Sequence, residues 1–236
     1  MFWFKHRRLF SLFGLGFFLW FLFFVGCQSR KGYLVKTEFF PPYVKKLVVV
    51  GFQPAILADE EAGVRRSPIS GAVFMAEPVP QHIAKQMNDH LLNNYLRGKG
   101  YDMILPSQAK GVFSSLVSSG SVASDIEIFK KIGRIFSADA VLAGYIYRWR
   151  ERKGTDYAAD RPASVAFDLY LIRSTDGAII GKGRYDKTQQ PLSENLFDME
   201  TFKQGGGKWM KAERLADIGM NYILGDLPDI VPDREE

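Results

Sequence analysis

The chain has 236 residues, 47% of them hydrophobic, and a formal net charge of +5 at pH 7. Three of its cationic residues, Lys5, Arg7 and Arg8, lie within the first 26 residues, which contain no acidic residue, so the rest of the chain carries only +2. Such a small charge argues against a nucleic-acid partner, because binding to phosphates needs clustered lysine and arginine. The single cysteine, Cys27, also excludes an internal disulfide.

The first 26 residues have the composition of a secretory signal. A basic group precedes residues 9–25, an apolar stretch dominated by phenylalanine and leucine, and Gly26 stands immediately before the cysteine. A basic region, an apolar region and a small residue at the cleavage site are the three parts of such a signal. We therefore expect residues 1–26 to be removed from the mature protein.

The segment Phe24-Val25-Gly26-Cys27 resembles the lipobox of bacterial lipoproteins. The resemblance implies that the Cys27 thiol receives a diacylglycerol, with acyl chains such as palmitate, and becomes the mature N-terminus. Gln28, in place of aspartate, fits sorting to the outer membrane, on its periplasmic side. Two alternatives stay open: the apolar stretch could be an uncleaved inner-membrane anchor, and a lone cysteine is often an ordinary buried thiol.

Residues 27–45 are expected to comprise the lipidated cysteine and a tether. Residues 28–43 show no sustained hydrophobic period and include the pair Pro41 and Pro42. Sixteen residues, fully extended at about 3.4 Å each, reach no more than about 55 Å. A lipid at the start of this tether would hold the folded domain close to its membrane.

The folded domain is predicted over residues 46–228, followed by a short C-terminal tail at 229–236. Runs of apolar β-branched residues predict strands, and apolar residues spaced three and four apart predict helices. The predicted elements are a strand at 46–52, a long loop at 53–78, a helix from Pro80 to Gly98, a strand at 102–106, a short helix or ordered loop at 107–119, a helix that begins at Ser124, a strand at 138–150, a hairpin at 164–186 and a helix at 208–224.

This order predicts the fold class. Strands separated by helices favour parallel pairing, and the later strands favour an antiparallel meander. We therefore expect one compact α/β domain, whose mixed sheet carries two to three main helices and ends in a C-terminal antiparallel meander.

The search for catalytic chemistry finds little. Residues 205–208 (GGGK) look superficially like a phosphate loop, but Trp209 stands where serine or threonine would bind magnesium. His82 and His90 lie eight residues apart on one predicted helix, too far along its axis to share a metal. We predict no catalytic residue, no metal and no cofactor, and expect a protein that is not an enzyme.

Two other functional classes stay open. A lipid-anchored hydrolase would need an acid pair, such as Asp168 and Asp186, in one cleft. A small-ligand-binding module would need an apolar cavity beneath residues 53–78.

One candidate partner surface lies on the predicted strand at 138–150. Tyr145, Tyr147 and Trp149 are expected on one face and Arg148 and Arg150 on the other. Aromatic residues and arginine anchor many protein interfaces, although the inner face of a sheet is also commonly aromatic.

A second candidate partner surface is the polar segment 187–195, which includes Gln189, Gln190, Glu194 and Asn195. This segment joins the meander to the last helix. It could recognise a partner or serve only as a well-capped connection.

Several segments together resemble a group of bacterial envelope lipoproteins. They are the strand at 47–52 (LVVVGF), Ile132-Gly133 in a helix, and the run at 138–144 (ADAVLAG). The group includes the curli secretion lipoprotein, the outer-membrane activators of penicillin-binding proteins and the amino-terminal domain of TolB-type proteins. The resemblance covers roughly residues 46–224. It implies a compact α/β domain that binds other envelope proteins, and it allows an oligomer.

The resemblance does not extend to a secretion pore. Curli-type channels contribute long amphipathic hairpins to a transmembrane barrel, whereas the hairpin at 164–186 carries Asp168, Lys182 and Arg184. The expected protein is an outer-membrane lipoprotein with one periplasm-facing domain, acting as a non-enzymatic assembly or accessory factor.

Overall fold

The computed structural model describes residues 34–36, 44–120, 124–190, 203 and 205–225. The predicted signal peptide, Cys27 and the C-terminal tail lie outside these residues. None of the helices in the described part of the chain combines the length and apolar composition needed to cross a bilayer.

The strands and helices alternate in the first half of the domain, and strands dominate the second half. The strands are β1 (Leu34–Lys36), β2 (Lys46–Pro54), β3 (Gly63–Arg66), β4 (Val73–Ala76), β5 (Asp102–Ile104), β6 (Ala140–Arg150), β7 (Lys153–Gly154), β8 (Ala159–Arg161), β9 (Ser164–Arg173) and β10 (Ile179–Thr188). The helices are α1 (Gln81–His90), which continues as a π-helical segment (Leu91–Leu96), α2 (Pro106–Ser118), α3 (Asp125–Ile135) and α4 (Ala212–Leu224).

Six strands form one mixed sheet in the order β1-β10-β9-β6-β2-β5. β2 pairs in parallel with both β5 and β6, and β6, β9, β10 and β1 pair in antiparallel fashion. Parallel neighbours need a crossover connection, which α1 supplies between β2 and β5, and α2 with α3 supply between β5 and β6. The predicted class, a single α/β domain with a mixed sheet and a later meander, is confirmed.

Helices cover both faces of the sheet. α1 and α4 pack on the face that carries Leu142, Phe167 and Leu169. α2 and α3 pack on the opposite face, against Val141 and Tyr170. Because both faces are covered, β9 is buried from Ser164 to Ile172.

The segment at 53–78, expected to be a long loop, contains the antiparallel hairpin β3–β4. Phe74 and Ala76, on the inner face of the hairpin, pack against Tyr147 and Ala166 of the main sheet. The hairpin therefore covers the part of the second sheet face that α2 and α3 leave open.

A glycine at position 133 allows α3 to approach the sheet closely. A Cβ built on Gly133 would lie 2.1 Å from Ser174 Oγ and 3.0 Å from Val141 Cγ2. Any larger side chain would therefore push α3 away from β6 and β9.

A β-bulge in β2 is held by a side chain from α1. The register with β6 shifts between Val49 and Gly51, and Gly51 has a φ of +76°. Asn88 Oδ1 accepts a hydrogen bond from the Phe52 backbone N–H (2.6 Å), and Asn88 Nδ2 donates to the Phe52 carbonyl (3.1 Å). A Cβ on Gly51 would lie 2.2 Å from Asn88 Oδ1. Glycine is therefore required both by the positive φ and by the lack of space for a side chain.

We predict that Asn88→Ala lowers the free energy of unfolding by about 2 kcal/mol, because two backbone groups at the bulge lose their partner. Denaturant unfolding would measure the change. The matched control is Asn93→Ala, at an exposed position in the π-helical segment, which should alter stability little. Equal stability of the two variants would show that Asn88 does not hold the bulge.

Candidate functional site

The carboxylate of Asp168 lies fully buried in the middle of β9. Its Oδ2 accepts hydrogen bonds from the hydroxyls of Tyr147 (2.9 Å) and Tyr170 (2.8 Å), and its Oδ1 accepts one from the backbone N–H of Tyr145 (3.2 Å). A buried carboxylate is costly unless donors satisfy its oxygens, and here three donors do so.

The hydrogen bonds continue from Asp168 to two other elements. The Tyr170 hydroxyl lies 3.1 Å from Ser67 Oγ and 2.6 Å from Ser70 Oγ, both in the turn between β3 and β4. The Tyr145 hydroxyl donates to Asp125 in the first turn of α3. The polar cluster therefore joins the hairpin, the sheet and α3.

Burial controls the ionisation of this cluster. It raises the pKa of Asp168 to about 6, against the opposing effect of the hydrogen bonds from Tyr170, Ser67 and Tyr147. Burial and the neighbouring Asp168 raise the pKa of both Tyr147 and Tyr170, which keeps these hydroxyls protonated and able to donate.

A pH dependence of stability follows from the raised pKa of Asp168. The folded protein binds this proton more tightly than the unfolded chain, so the free energy of unfolding should fall as the pH rises from about 4 to about 6, by about 3 kcal/mol from this group. Asp168→Asn, which cannot ionise, should lack this component. The measurement is the difference in unfolding free energy between the two proteins from about pH 4 to about pH 7; a difference independent of pH would contradict the prediction.

Two arginines of the main sheet hold the outer edge of β4. Arg148 Nη1 donates to the Met75 carbonyl (2.8 Å), and Arg184 Nη2 donates to the Val73 carbonyl (2.8 Å). Arg148 Nη2 also donates to Asp186 Oδ1 at 2.5 Å, which orients the guanidinium toward the hairpin. The carbonyls on this edge of β4 thus have partners within the chain.

Phe74 fixes the inner face of the hairpin. Its ring stacks on Tyr147 with centroids 3.8 Å apart and an interplanar angle of 5°. The Arg184 guanidinium lies 4.3 Å from the centroid of the same Phe74 ring. Aromatic stacking and a cation–π contact therefore add to the arginine hydrogen bonds and attach the hairpin firmly to the sheet.

The outer face of the hairpin is apolar and exposed. Val64, Val73 and Met75 retain 59%, 44% and 62% exposure, and Val64 lies directly opposite Met75. We call these three residues the hairpin face. Clustered exposed apolar residues on a rigid element are typical of protein-interaction sites.

The predicted arrangement of aromatic residues on β6 is wrong. The register with β9 shifts at Tyr147, which adds one residue and reverses the alternation beyond it. Tyr145 and Tyr147 lie on the same face as Asp168, whereas Trp149 packs on the opposite face, against the core beneath α1 and α4. Arg148 lies on the Tyr147 side instead of opposite to it.

Three residues of the candidate partner surfaces are buried in this structure. Tyr147, Arg148 and Gln189 have 0%, 6% and 3% exposure. Gln189 Nε2 donates to the Lys208 carbonyl (2.9 Å), and its Oε1 accepts from the Met210 backbone N–H (2.7 Å). These side chains contact the chain's own hairpin and the segment that leads into α4.

The remaining candidates differ in exposure. Trp149 and Arg150 are partly buried, Arg150 is paired with Glu77, and Gln190 is exposed. A partner role for these residues stays a prediction. Glu194 and Asn195 lie outside the described residues.

The two carboxylates that a hydrolase would need as an acid pair are each engaged by other groups of the chain. Asp168 is enclosed by its three donors, and Asp186 forms ion pairs with Arg148 (2.5 Å) and Arg184 (3.5 Å). Both carboxylates therefore contribute to the attachment of the hairpin or to the interior of the sheet.

His90 is a hydrogen-bonded residue at the boundary of the core. Its Nε2 lies 3.0 Å from Asp217 Oδ1, and its Nδ1 lies 3.0 Å from Asn94 Nδ2. Across the described ranges, no group of three or more histidine, cysteine or acidic side chains is placed to hold a metal ion.

A cleft of about 530 Å³ opens between α1 and α2, at the carboxyl end of β2. Val50, Leu92 and Phe113 supply apolar lining, and His82 and Lys110 supply polar lining. In open α/β sheets, ligands bind outside the carboxyl ends of strands where successive crossovers lie on opposite faces. Apart from Gln53, no residue of the segment 53–78 lines this cleft, so it is not the cavity expected beneath that segment, and a ligand-binding role stays a prediction.

Sequence reasoning missed the hairpin and with it Ser67, Ser70 and Phe74. The available signal was the alternation within β4, where Phe74 and Ala76 point inward and Val73 and Met75 point outward. Four residues are too few for such alternation to stand out.

No protein-family model matches the chain, and no curated protein matches it. Among solved structures, the PelC dodecamer from Paraburkholderia phytofirmans is 16% identical, with 81% of this chain and 96% of that chain covered and a TM-score of 0.34. Lipoprotein GNA1162 from Neisseria meningitidis is 15% identical, covering 69% and 98%, with a TM-score of 0.37. The LpoB C-terminal domain from Escherichia coli is 16% identical, covering 61% and 83%, with a TM-score of 0.31. At these identities and TM-scores, the likenesses assign neither a family nor an activity.

Proposed function

We propose that the protein is an envelope lipoprotein, held on the periplasmic side of the outer membrane by a lipid on Cys27, and that it acts as a non-enzymatic assembly or accessory factor. The observation that carries the proposal is the position of the only cysteine, directly after residues 1–26 with their basic and apolar regions. A cysteine thiolate is the nucleophile that forms a thioether with a lipid.

The hairpin face supports a protein-binding role. Val64, Val73 and Met75 are exposed on an element whose inner face is fixed by the Phe74–Tyr147 stack and whose edge is held by two arginines. A surface that is already ordered loses little conformational entropy when a partner binds. An exposed apolar face on a rigid hairpin is therefore suited to docking another protein.

The placement of the acidic residues supports a non-enzymatic role. Asp168 has no solvent exposure, and Asp186 is engaged by two guanidinium groups. A general acid or nucleophile must reach its substrate, and these carboxylates are instead occupied within the domain.

The anchor can be tested by Cys27→Ala. This variant should accumulate as an unprocessed precursor and take up no labelled fatty acid, because it lacks the thiol that accepts the lipid. Metabolic labelling and gel mobility would show both effects. Ser29→Ala, two residues beyond, is the matched control and should be labelled and processed normally; labelling of the Cys27→Ala protein would refute the lipoprotein assignment.

The docking surface can be tested with a photoactivatable residue in place of Met75. In the native envelope, this probe should form an adduct with a distinct envelope protein. The control is the same probe in place of Ile135, which is 57% exposed at the end of α3. The same adducts from both positions, or none from Met75, would remove the hairpin face from the proposal.

A further inference from the structure

The β3–β4 hairpin has one satisfied edge and one open edge. On the outer edge of β4, the Val73 and Met75 carbonyls accept hydrogen bonds from Arg184 and Arg148. β3 has only β4 as a neighbour, because among the described residues these two strands form a separate two-stranded sheet. An open strand edge is a template on which another strand can pair.

The segment that leads into and forms β3 is acidic at its start and basic at its end. Residues 59–61 are all acidic and Arg65 and Arg66 are basic, with Ala62, Gly63 and Val64 between them. The side-chain charge therefore changes from negative before Gly63 to positive after it. A strand of this kind is complementary in charge to a second copy of itself that runs in the opposite direction.

We propose that residues 60–66, which comprise β3 and the three residues before it, pair antiparallel with the same segment of a second copy of this chain, about a two-fold axis that passes between the two Gly63 residues. In such a pair, residues equally distant from the axis on opposite sides lie opposite each other. Glu61 then lies opposite Arg65 of the second copy, and Glu60 lies beside Arg66 of the second copy. Because of the two-fold symmetry, each of these ion pairs forms twice.

Other registers match the charges less well. With Val64 opposite itself, Glu61 would move away from Arg65 of the second copy and Ala62 would face Arg66 of the second copy. A parallel pair in register would place like charges side by side, which is destabilising. The charge pattern therefore selects both the direction and the register.

The contacts of Arg65 that this pairing displaces are weak. Arg65 lies 3.7 Å from Glu60, and the two side chains are 38% and 48% exposed. Its guanidinium also donates to the Glu61 carbonyl (3.3 Å) and the Val64 carbonyl (3.4 Å), both long for hydrogen bonds. An exposed pair of this kind contributes little to stability, so it can be exchanged for the pair across the interface.

The pairing also joins the apolar surfaces of the two copies. Ala62 lies opposite Val64 of the second copy, so the two hairpin faces become one surface on a four-stranded sheet. The paired segment has seven residues, four of them in β3, so the interface is small. The lipid anchor would confine both copies to one membrane and raise their effective concentration; this last step rests on the proposed function.

Gly63 offers a direct test of the register. Its φ is not positive, and a Cβ built there meets nothing closer than Arg65 Nη1 at 3.4 Å, so cysteine fits. Opposed residues in an antiparallel pair have Cα atoms about 4.5–5.5 Å apart, within the range that a disulfide spans. In the full-length chain, in native membranes under oxidising conditions, Gly63→Cys should give a disulfide-linked dimer of twice the chain mass.

Two controls accompany this test. The unsubstituted chain, which has only Cys27, should give no dimer. Val73→Cys, exposed on β4 and one strand away from the proposed interface, should stay monomeric. Absence of the Gly63→Cys dimer, or an adduct of a different mass, would overturn self-pairing; the second outcome would mean that another protein occupies the edge.

Charge reversal tests the proposed ion pairs. In the Gly63→Cys background, Glu61→Arg and Arg65→Glu should each abolish the dimer, because each places like charges across the axis. Co-expression of the two variants should restore a mixed dimer, since opposite charges again face each other. Unchanged crosslinking of either single variant, or failure of the mixture to crosslink, would overturn the register.

The self-pairing and the anchor can fail separately. Fatty-acid labelling of the Gly63→Cys protein reports on Cys27, and the disulfide reports on β3. A labelled protein without a dimer contradicts only the pairing, and a dimer without the label contradicts only the lipid anchor.

Discussion

The hydrogen bonds of Asp168 are the constraint on which the domain depends. The carboxylate occupies the middle of a strand that is covered on both faces, where an unpaired charge would be intolerable. Its partners lie on β6 and β9, and through Tyr170 and Tyr145 the hydrogen bonds reach the hairpin turn and α3. The hairpin turn therefore acts on this carboxylate through Tyr170, whose hydroxyl contacts Ser67 and Ser70 and donates to Asp168.

The two faces of the closed hairpin lie in different environments. Phe74 and the two arginines face the sheet, where their contacts are aromatic, cationic and hydrogen-bonding. Val64 and Met75 face outward and are exposed within the described part of the chain. Rigid attachment of the inner face favours binding at the exposed outer face. An apolar surface on a mobile loop would lose much of its binding energy in becoming ordered.

The long elements were predictable, because their patterns extend over many residues. In β9, Val165, Phe167 and Leu169 share one face of the predicted hairpin, and Ser124, the predicted start of a helix, is the N-cap of α3. The hairpin was not predictable, because its strands have four residues each. The burial of Asp168 was missed for the same reason, since it depends on a cover that the sequence pattern did not reveal. The extra residue at Tyr147 leaves no mark in composition, so the faces of β6 beyond it were assigned in reverse.

That single extra residue has a consequence for how the protein tolerates insertions and deletions. Removal of Tyr147, the extra residue, would return β6 to regular alternation and would leave Arg148, Trp149 and Arg150 opposite their present partners on β9. The loss would fall instead on the hydrogen bond of Tyr147 to Asp168 and on its stack with Phe74. Strand length and side-chain identity are therefore coupled at this point, because the residue that forms the bulge is also the one that joins the sheet to the hairpin.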